Sequence, residues 1–348
     1  MIPATPYEQR PPRTRRGGPR LPLNVLALDN LEIGATDGAV RIRRWMACFL
    51  MIYAGILIVR SALAGELPSV AYVLMAAVAL AVYKNMLGRF LRDWTLVLGG
   101  LFAYLWTSHF APSVHAGVHF RPQIVIDQAI GLGTIPTVWL QAHLYSGRIG
   151  VLEIFATVAY VSHFFAPIAL GLFLSFTRRG RAFGELMFGI LLTSLISDVT
   201  YLFAPTAPPW LAAEHGYLPP IHHIIKDSLV QMHLGGLASM DGDPSHYNVV
   251  AALPSMHAAF PALALIVVLR HRLPRLVVGL VAFQFLSVMF SIVYTGEHYV
   301  VDAIAGAAYA GLAYALVCRG LDHLPRPRAE APPSAAVVPD TALALERT

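Results

Sequence analysis

The sequence predicts an all-α integral membrane protein of about eight transmembrane helices, and three observations carry that prediction. Of its 348 residues 56% are hydrophobic and only 13% charged, with a mean hydropathy of +0.60, far more apolar than a soluble domain needs to fill one core. Runs of about 18 or more apolar residues, the length that crosses a hydrocarbon layer as a helix, recur at 45–63, 68–87, 93–111, 150–175, 182–205, 254–270, 275–294 and 299–318. Threading the chain through these runs places all of the 25 Lys and Arg on one side except Arg60, Arg121, Arg148 and Lys226, the loop-by-loop alternation of an oriented polytopic chain.

Residues 1–40 read as a basic tail with no apolar h-region, so no cleavable signal is expected and the first span serves as the insertion signal. Residues 41–111 hold the first three spans. The segment 112–149 is expected in the outer interface, because Asp127, Gly131, Gly133 and Pro136 interrupt Ile124 to Leu144 too often for it to span. Residues 150–321 form the helical-bundle core with an outer loop at 206–253, and 322–348, with five prolines, reads as a tail. Arg and Lys accumulate in cytoplasmic loops, so both termini are expected inside a cell membrane crossed several times. The two long connections and the turn at 295–298 then lie on the non-cytoplasmic side. Both connections combine His with Pro, Gly and aromatic residues, the make-up of a lid over an outward-facing site, and Trp210 and Tyr217 read as interface anchors. The basic excess sits in short loops and a tail, which excludes a nucleic-acid partner. Cys48 and Cys318 lie in apolar runs near the inner side, and no disulfide is expected.

Two segments carry chemistry. Pro254-Ser255-Met256-His257 opens the sixth span where the chain re-enters from outside. Proline suits a first helical turn, whose free N–H groups and positive dipole end favour phosphate. Ser255 adds a hydroxyl, and His257 is close enough to exchange a proton with a bound ester. Gly296-Glu297-His298-Tyr299-Val300-Val301-Asp302 opens the eighth span on the same side. His298 and Asp302, four apart, share a helical face. A carboxylate on one ring nitrogen fixes the tautomer and leaves the other nitrogen's lone pair free for attack. A polar pair that merely caps a helix is the competing reading. Zinc ligation is another, but no Cys and no HExxH pattern lies nearby.

The two segments resemble the second and third signatures of the type-2 phosphatidic acid phosphatase superfamily, Pro-Ser-x-His followed by His-x-x-x-Asp. The Pro-Pro-Trp within Tyr201 to Trp210 is similar to one in its inositol phosphorylceramide synthase (aureobasidin-sensitive) branch. The resemblance covers about residues 198–310 and implies a two-step displacement without metal or cofactor. His298 would attack phosphorus to give a phosphohistidine, Asp302 would stabilise the imidazolium, and His257 would protonate the leaving oxygen. The family's first signature is missing, since Val114 stands where its Lys would fall before Arg121-Pro122, and Ile292 replaces the Arg six residues ahead of the nucleophile. Phosphate neutralisation is therefore left to Lys226, Arg121 or Arg148. Ser255, Lys226, Arg121, Asp198 and Tyr299 are the expected substrate-binding residues, Asp198 and His163 as groups that orient a cavity. The expected activity moves a phosphate-containing headgroup, such as inositol phosphate, from a phospholipid donor to a lipid or glycolipid hydroxyl. Hydrolysis of a lipid phosphate or polyprenyl diphosphate is the alternative, and a transporter is the alternative from another class.

Overall fold

The computed structural model describes residues 37–64, 70–108, 117–234 and 248–323. The two tails expected at 1–40 and 322–348 therefore fall largely outside the described residues, as do parts of both outer connections. The described chain is helical, with α1 at Asp37–Leu63, α2 at Val70–Tyr83 and α3 at Leu87–Ser108. After the short helices α4 (Arg121–Ile130) and α5 (Pro136–Leu144) come α6 (Val151–Phe176) and α7 (Gly180–Phe203). Two more short helices, α8 (Pro209–Glu214) and α9 (Ile224–Gln231), precede α10 (Met256–Arg270), α11 (Arg275–Tyr294) and α12 (Val300–His323).

This is an all-α membrane protein. Among the described residues α1, α6, α7, α11 and α12 are long and apolar enough to cross a bilayer. The expected spans at 68–87, 93–111 and 254–270 correspond to α2, α3 and α10. Of these α2 has 14 residues, α10 has 15, and α3 carries Arg89, Arg92 and Asp93 in its first turns, so charge alternation rather than length argues for eight. Faces turned away from the bundle are apolar. Leu276, Leu280, Phe283 and Leu286 on α11 are all exposed, as lipid contact requires and water would penalise.

The central helix is α10, which packs against α6, α7, α11 and α12. Its Ala259, Leu263, Val267 and Val268 are buried with Leu170, Leu174, Phe183 and Leu186. It is short because the chain leading into it is irregular rather than helical, and a small parallel ladder ties that chain down. His119 pairs with Thr206 and Thr206 with Ala251, and the Thr206 hydroxyl oxygen accepts the Leu253 amide at 2.8 Å. The first turn of α10 is thereby held inside the bundle. His163, which faces it, lies about 12 residues, or ~18 Å, along α6 from the outer end.

The short helices α4, α5 and α8 begin where the sequence supplies prolines. Pro122, Pro136 and Pro209 occupy first-turn positions, where a missing N–H costs nothing. Between α4 and α5 the chain reverses through Leu132 and Gly133, both at positive φ. That break is why Ile124 to Leu144 forms two short helices instead of a span.

Candidate active site

Two helix N-termini converge. Ser255 is the N-cap of α10, and its Oγ accepts the Ala258 amide at 3.3 Å. The Ser255 amide donates in turn to the carbonyl of Asp302 on α12 at 3.0 Å. One turn further along α12, Gly306 makes this approach possible, because a Cβ there would stand 2.2 Å from the Ser255 carbonyl oxygen. The Tyr201 hydroxyl fixes the preceding residue by donating to the Pro254 carbonyl at 2.5 Å.

The corner before α12 is clamped from outside. Gly296 sits at φ +86, a conformation that favours glycine, and its carbonyl accepts the Trp210 amide at 3.1 Å. Glu297 lies 3.0 Å from Nε2 of His223, whose ring stacks on Trp210 with centroids 4.9 Å apart. Trp210, expected as an interface anchor, is therefore buried in the clamp, whereas Tyr217 is exposed and stacks on Phe120. The Gln141 side chain joins α5 to this corner by donating to the carbonyls of His222 and Tyr294, each at 3.0 Å. Asp127 on α4 completes the clamp. Its two oxygens accept the amides of Val300 and Val301, each at 2.9 Å, which are the first two of α12. Burial pushes the Asp127 carboxyl above its ordinary range, and those two amides pull it partway back.

Within this frame His298 Nε2 lies 3.0 Å from His257 Nδ1. His298 Nδ1 faces the Ala252 carbonyl at 3.0 Å and Oδ2 of Asp302 at 3.6 Å. Both groups facing Nδ1 only accept hydrogen bonds, so Nδ1 carries the proton and Nε2 presents its lone pair. His257 then donates to it through Nδ1. The expected His298–Asp302 pairing differs in one respect, because the hydrogen-bonded partner is the Ala252 carbonyl. Asp302 acts at ion-pair distance, where a unit pair about 4 Å apart attracts by roughly 4 kcal/mol at an effective dielectric near 20. Its Oδ2 also accepts the Tyr299 amide at 3.0 Å. Asp302 and Ser255 are fully buried and His298 is nearly so.

A third imidazole completes the cluster. The His163 ring lies 4.0 Å from that of His257, and the Tyr160 ring stacks on His257 at 4.5 Å. Both histidines precede an intrahelical proline by four residues, in His163-Phe164-Phe165-Ala166-Pro167 and His257-Ala258-Ala259-Phe260-Pro261. Each proline withholds the amide that would bond the histidine's carbonyl. His163, expected as a group that orients a cavity, is thus marked in the sequence by the same proline spacing as His257. No local pattern announces Asp127, Gln141 or Thr206, which act across the chain.

Of the other expected residues, Tyr299 is buried directly after His298, packed with Ile124, Ile135, Ala212 and Leu218. Asp198 is half-buried on α7. Arg121, Arg148 and Lys226 are exposed on the outer segments, and none contacts the imidazoles. Ile225, beside Lys226, packs on Tyr160 and so sets α9 over the cluster. Ile292 is buried among Ala258, Val288, Val293 and Ala303, and its carbonyl accepts the amides of Glu297 and His298 at 3.0 and 2.9 Å. That position holds the corner's backbone and offers no charge. Among the described residues no group of His, Cys, Asp and Glu is arranged to hold a metal.

The family model of the PAP2 superfamily matches residues 123–316, more than half of the chain and all of this site. The chain belongs to the PAP2 superfamily. This PAP2 chain is 27% identical over 181 residues to a phosphoinositol dihydroceramide synthase of Bacteroides thetaiotaomicron, covering 49% of the chain and 57% of that relative. It therefore spans little more than half the relative's length. No solved structure matches the PAP2 chain.

Proposed function

We propose that this protein is a membrane phosphotransferase that moves a phosphate-containing headgroup from a phospholipid to a lipid hydroxyl through a phosphohistidine at His298. The observation that carries the reading is the orientation of His298, with Nδ1 turned to acceptors and the Nε2 lone pair turned to His257 at 3.0 Å. A phosphoryl centre enters by taking the place of the His257 N–H at Nε2. The Nε2–P bond forms as the P–O bond to the glycerolipid breaks, and His257 gives its proton to the departing oxygen. Asp302 stabilises the positive ring that results. In the second step the acceptor hydroxyl gives its proton to His257, its oxygen bonds phosphorus, and the P–N bond breaks.

Among the described residues no arginine or lysine touches the imidazoles, so the first turn of α10 is the phosphate's positive partner. Its Ala258 and Ala259 amides bond Ser255, whereas the Met256 and His257 amides have no acceptor among the described residues. Free N–H groups at a helix start suit phosphate oxygens. Lys226 and Arg121 act from the lid as longer-range attraction, Asp198 and Tyr299 shape the cavity, and the site opens to the non-cytoplasmic side. The relative's name supports phosphoinositol as the headgroup and a dihydroceramide-type hydroxyl as acceptor.

The test is to incubate the purified chain with headgroup-labelled phospholipids, with and without a sphingoid or glycolipid hydroxyl. A new labelled phosphodiester that forms only with acceptor is expected. Free phosphate or free headgroup phosphate in both cases would establish hydrolysis instead. Passage of label across a sealed vesicle without chemical change would make the protein a transporter.

A further inference from the structure

At the end of the bundle opposite the histidines lies a cleft of about 480 Å³, within the size range of small-ligand sites. Three elements contribute cations to it: Arg43 and Arg44 from α1, Lys84 from the turn after α2, and Arg178 from the turn after α6. Tyr83 and Phe176 supply apolar wall, and no carboxylate is among the described residues that line it. The cleft is shaped rather than being only a rim of loop charge. Arg43 Nη1 donates to Asn85 Oδ1 at 2.7 Å, and the Arg44 guanidinium lies over the Tyr83 ring at 5.7 Å. Asn85 and Arg178 both hold positive φ. That conformation is uncommon for a residue such as arginine, and it places these two turns at the cleft.

Orientation of a membrane protein needs only that cations lie in the loops of one side. It does not need Arg44, Lys84 and Arg178 to converge from three elements on one cavity that no carboxylate lines among the described residues. At the same end the bundle shows the contrasting arrangement. There Arg181 pairs with Glu185 and Asp322, and His271 with Glu185, so cations meant for structure are given acids. A basic pocket between helices at the membrane surface fits a phosphate group, and in a bilayer the nearest phosphates are lipid headgroups. We infer that the Arg43–Arg44–Lys84–Arg178 cleft binds the phosphate of an acidic phospholipid, as a site separate from the catalytic centre.

The experiment uses the full chain in nanodiscs of phosphatidylcholine alone, with added phosphatidylglycerol, or with inorganic phosphate in the buffer. Lipid retention is read by native mass spectrometry and unfolding by thermal shift. Phosphatidylglycerol is expected to be retained and to raise the Tm. Arg44→Gln with Arg178→Gln should weaken retention roughly ten- to thirtyfold, since each cation near a membrane surface contributes about a fivefold attraction or somewhat less. Turnover in neutral lipid should not change. Arg272→Gln with Arg275→Gln removes the same charge from the same end outside the cleft and should change retention less than about twofold. If the first pair fails to fold, Arg178→Gln alone, on an exposed turn, is read in the same way. Stabilisation by inorganic phosphate in neutral lipid would uphold the anion site but give it a soluble ligand. Equal loss in the two double variants, or no response to either phosphate source, would overturn the proposal.

Discussion

The two helix starts that meet at the site are built in opposite ways. The helix α10 is capped by its own Ser255, which leaves the first two amides, of Met256 and His257, without an acceptor among the described residues. In α12 the corresponding amides, of Val300 and Val301, are both taken by Asp127, a carboxylate 173 and 174 residues away in the chain. Both ends carry the positive pole of a helix, yet only α10 can offer it to phosphate. The carboxylate on α12 closes that terminus and fixes its position, and so holds His298 and Asp302 in place. On the proposed reading one terminus binds and the other stays still.

The largest break in this comparison should come from Asp127→Ala, which strands two part-buried amides. A loss of about 3 kcal/mol is expected in denaturant or thermal unfolding, together with a lower kcat and little change in KM. Asp127→Asn, which keeps one acceptor oxygen, should lie between that variant and wild type. Next is Gly306→Ala, which pushes a methyl into the Ser255 carbonyl and must part the two helix starts. It should cost about 2 kcal/mol and reduce turnover more than stability, because His257 and His298 are carried on the two separated elements. Smaller still is Ser255→Ala, worth about 1 kcal/mol as a lost cap, with a raised KM as its signature if α10 is the phosphate-binding terminus. Thr206→Val, which removes the acceptor for the Leu253 amide, should cost about 1 kcal/mol and act through the same terminus. If Ser255→Ala affected only kcat while Asp127→Ala affected only KM, the two ends would have to exchange roles.

The same comparison explains what the sequence could disclose. The N-cap of α10, the four-residue spacing of His298 and Asp302, and the apolar runs are local patterns, readable because neighbouring residues along a helix decide them. The all-α membrane architecture and the family follow from such patterns. Asp127 was visible only as a residue that interrupts an apolar segment, since its carboxylate acts on a helix that begins far along the chain. Gln141 and the Thr206 ladder were unreadable for the same reason. Trp210 looked like an interface anchor because an aromatic ring beside prolines in an outer loop gives no hint of the His223 ring it covers. His163 lay between these cases, with its proline spacing in plain view and its partner on another helix.

The stereochemical course at phosphorus tests the central claim most directly, with a donor made chiral by sulfur and oxygen isotopes and the product's configuration read by phosphorus NMR. Attack by His298 followed by attack of the acceptor inverts phosphorus twice, so the account predicts net retention. Net inversion would mean that the acceptor displaces the lipid oxygen in a single step, and His298 would not be the nucleophile.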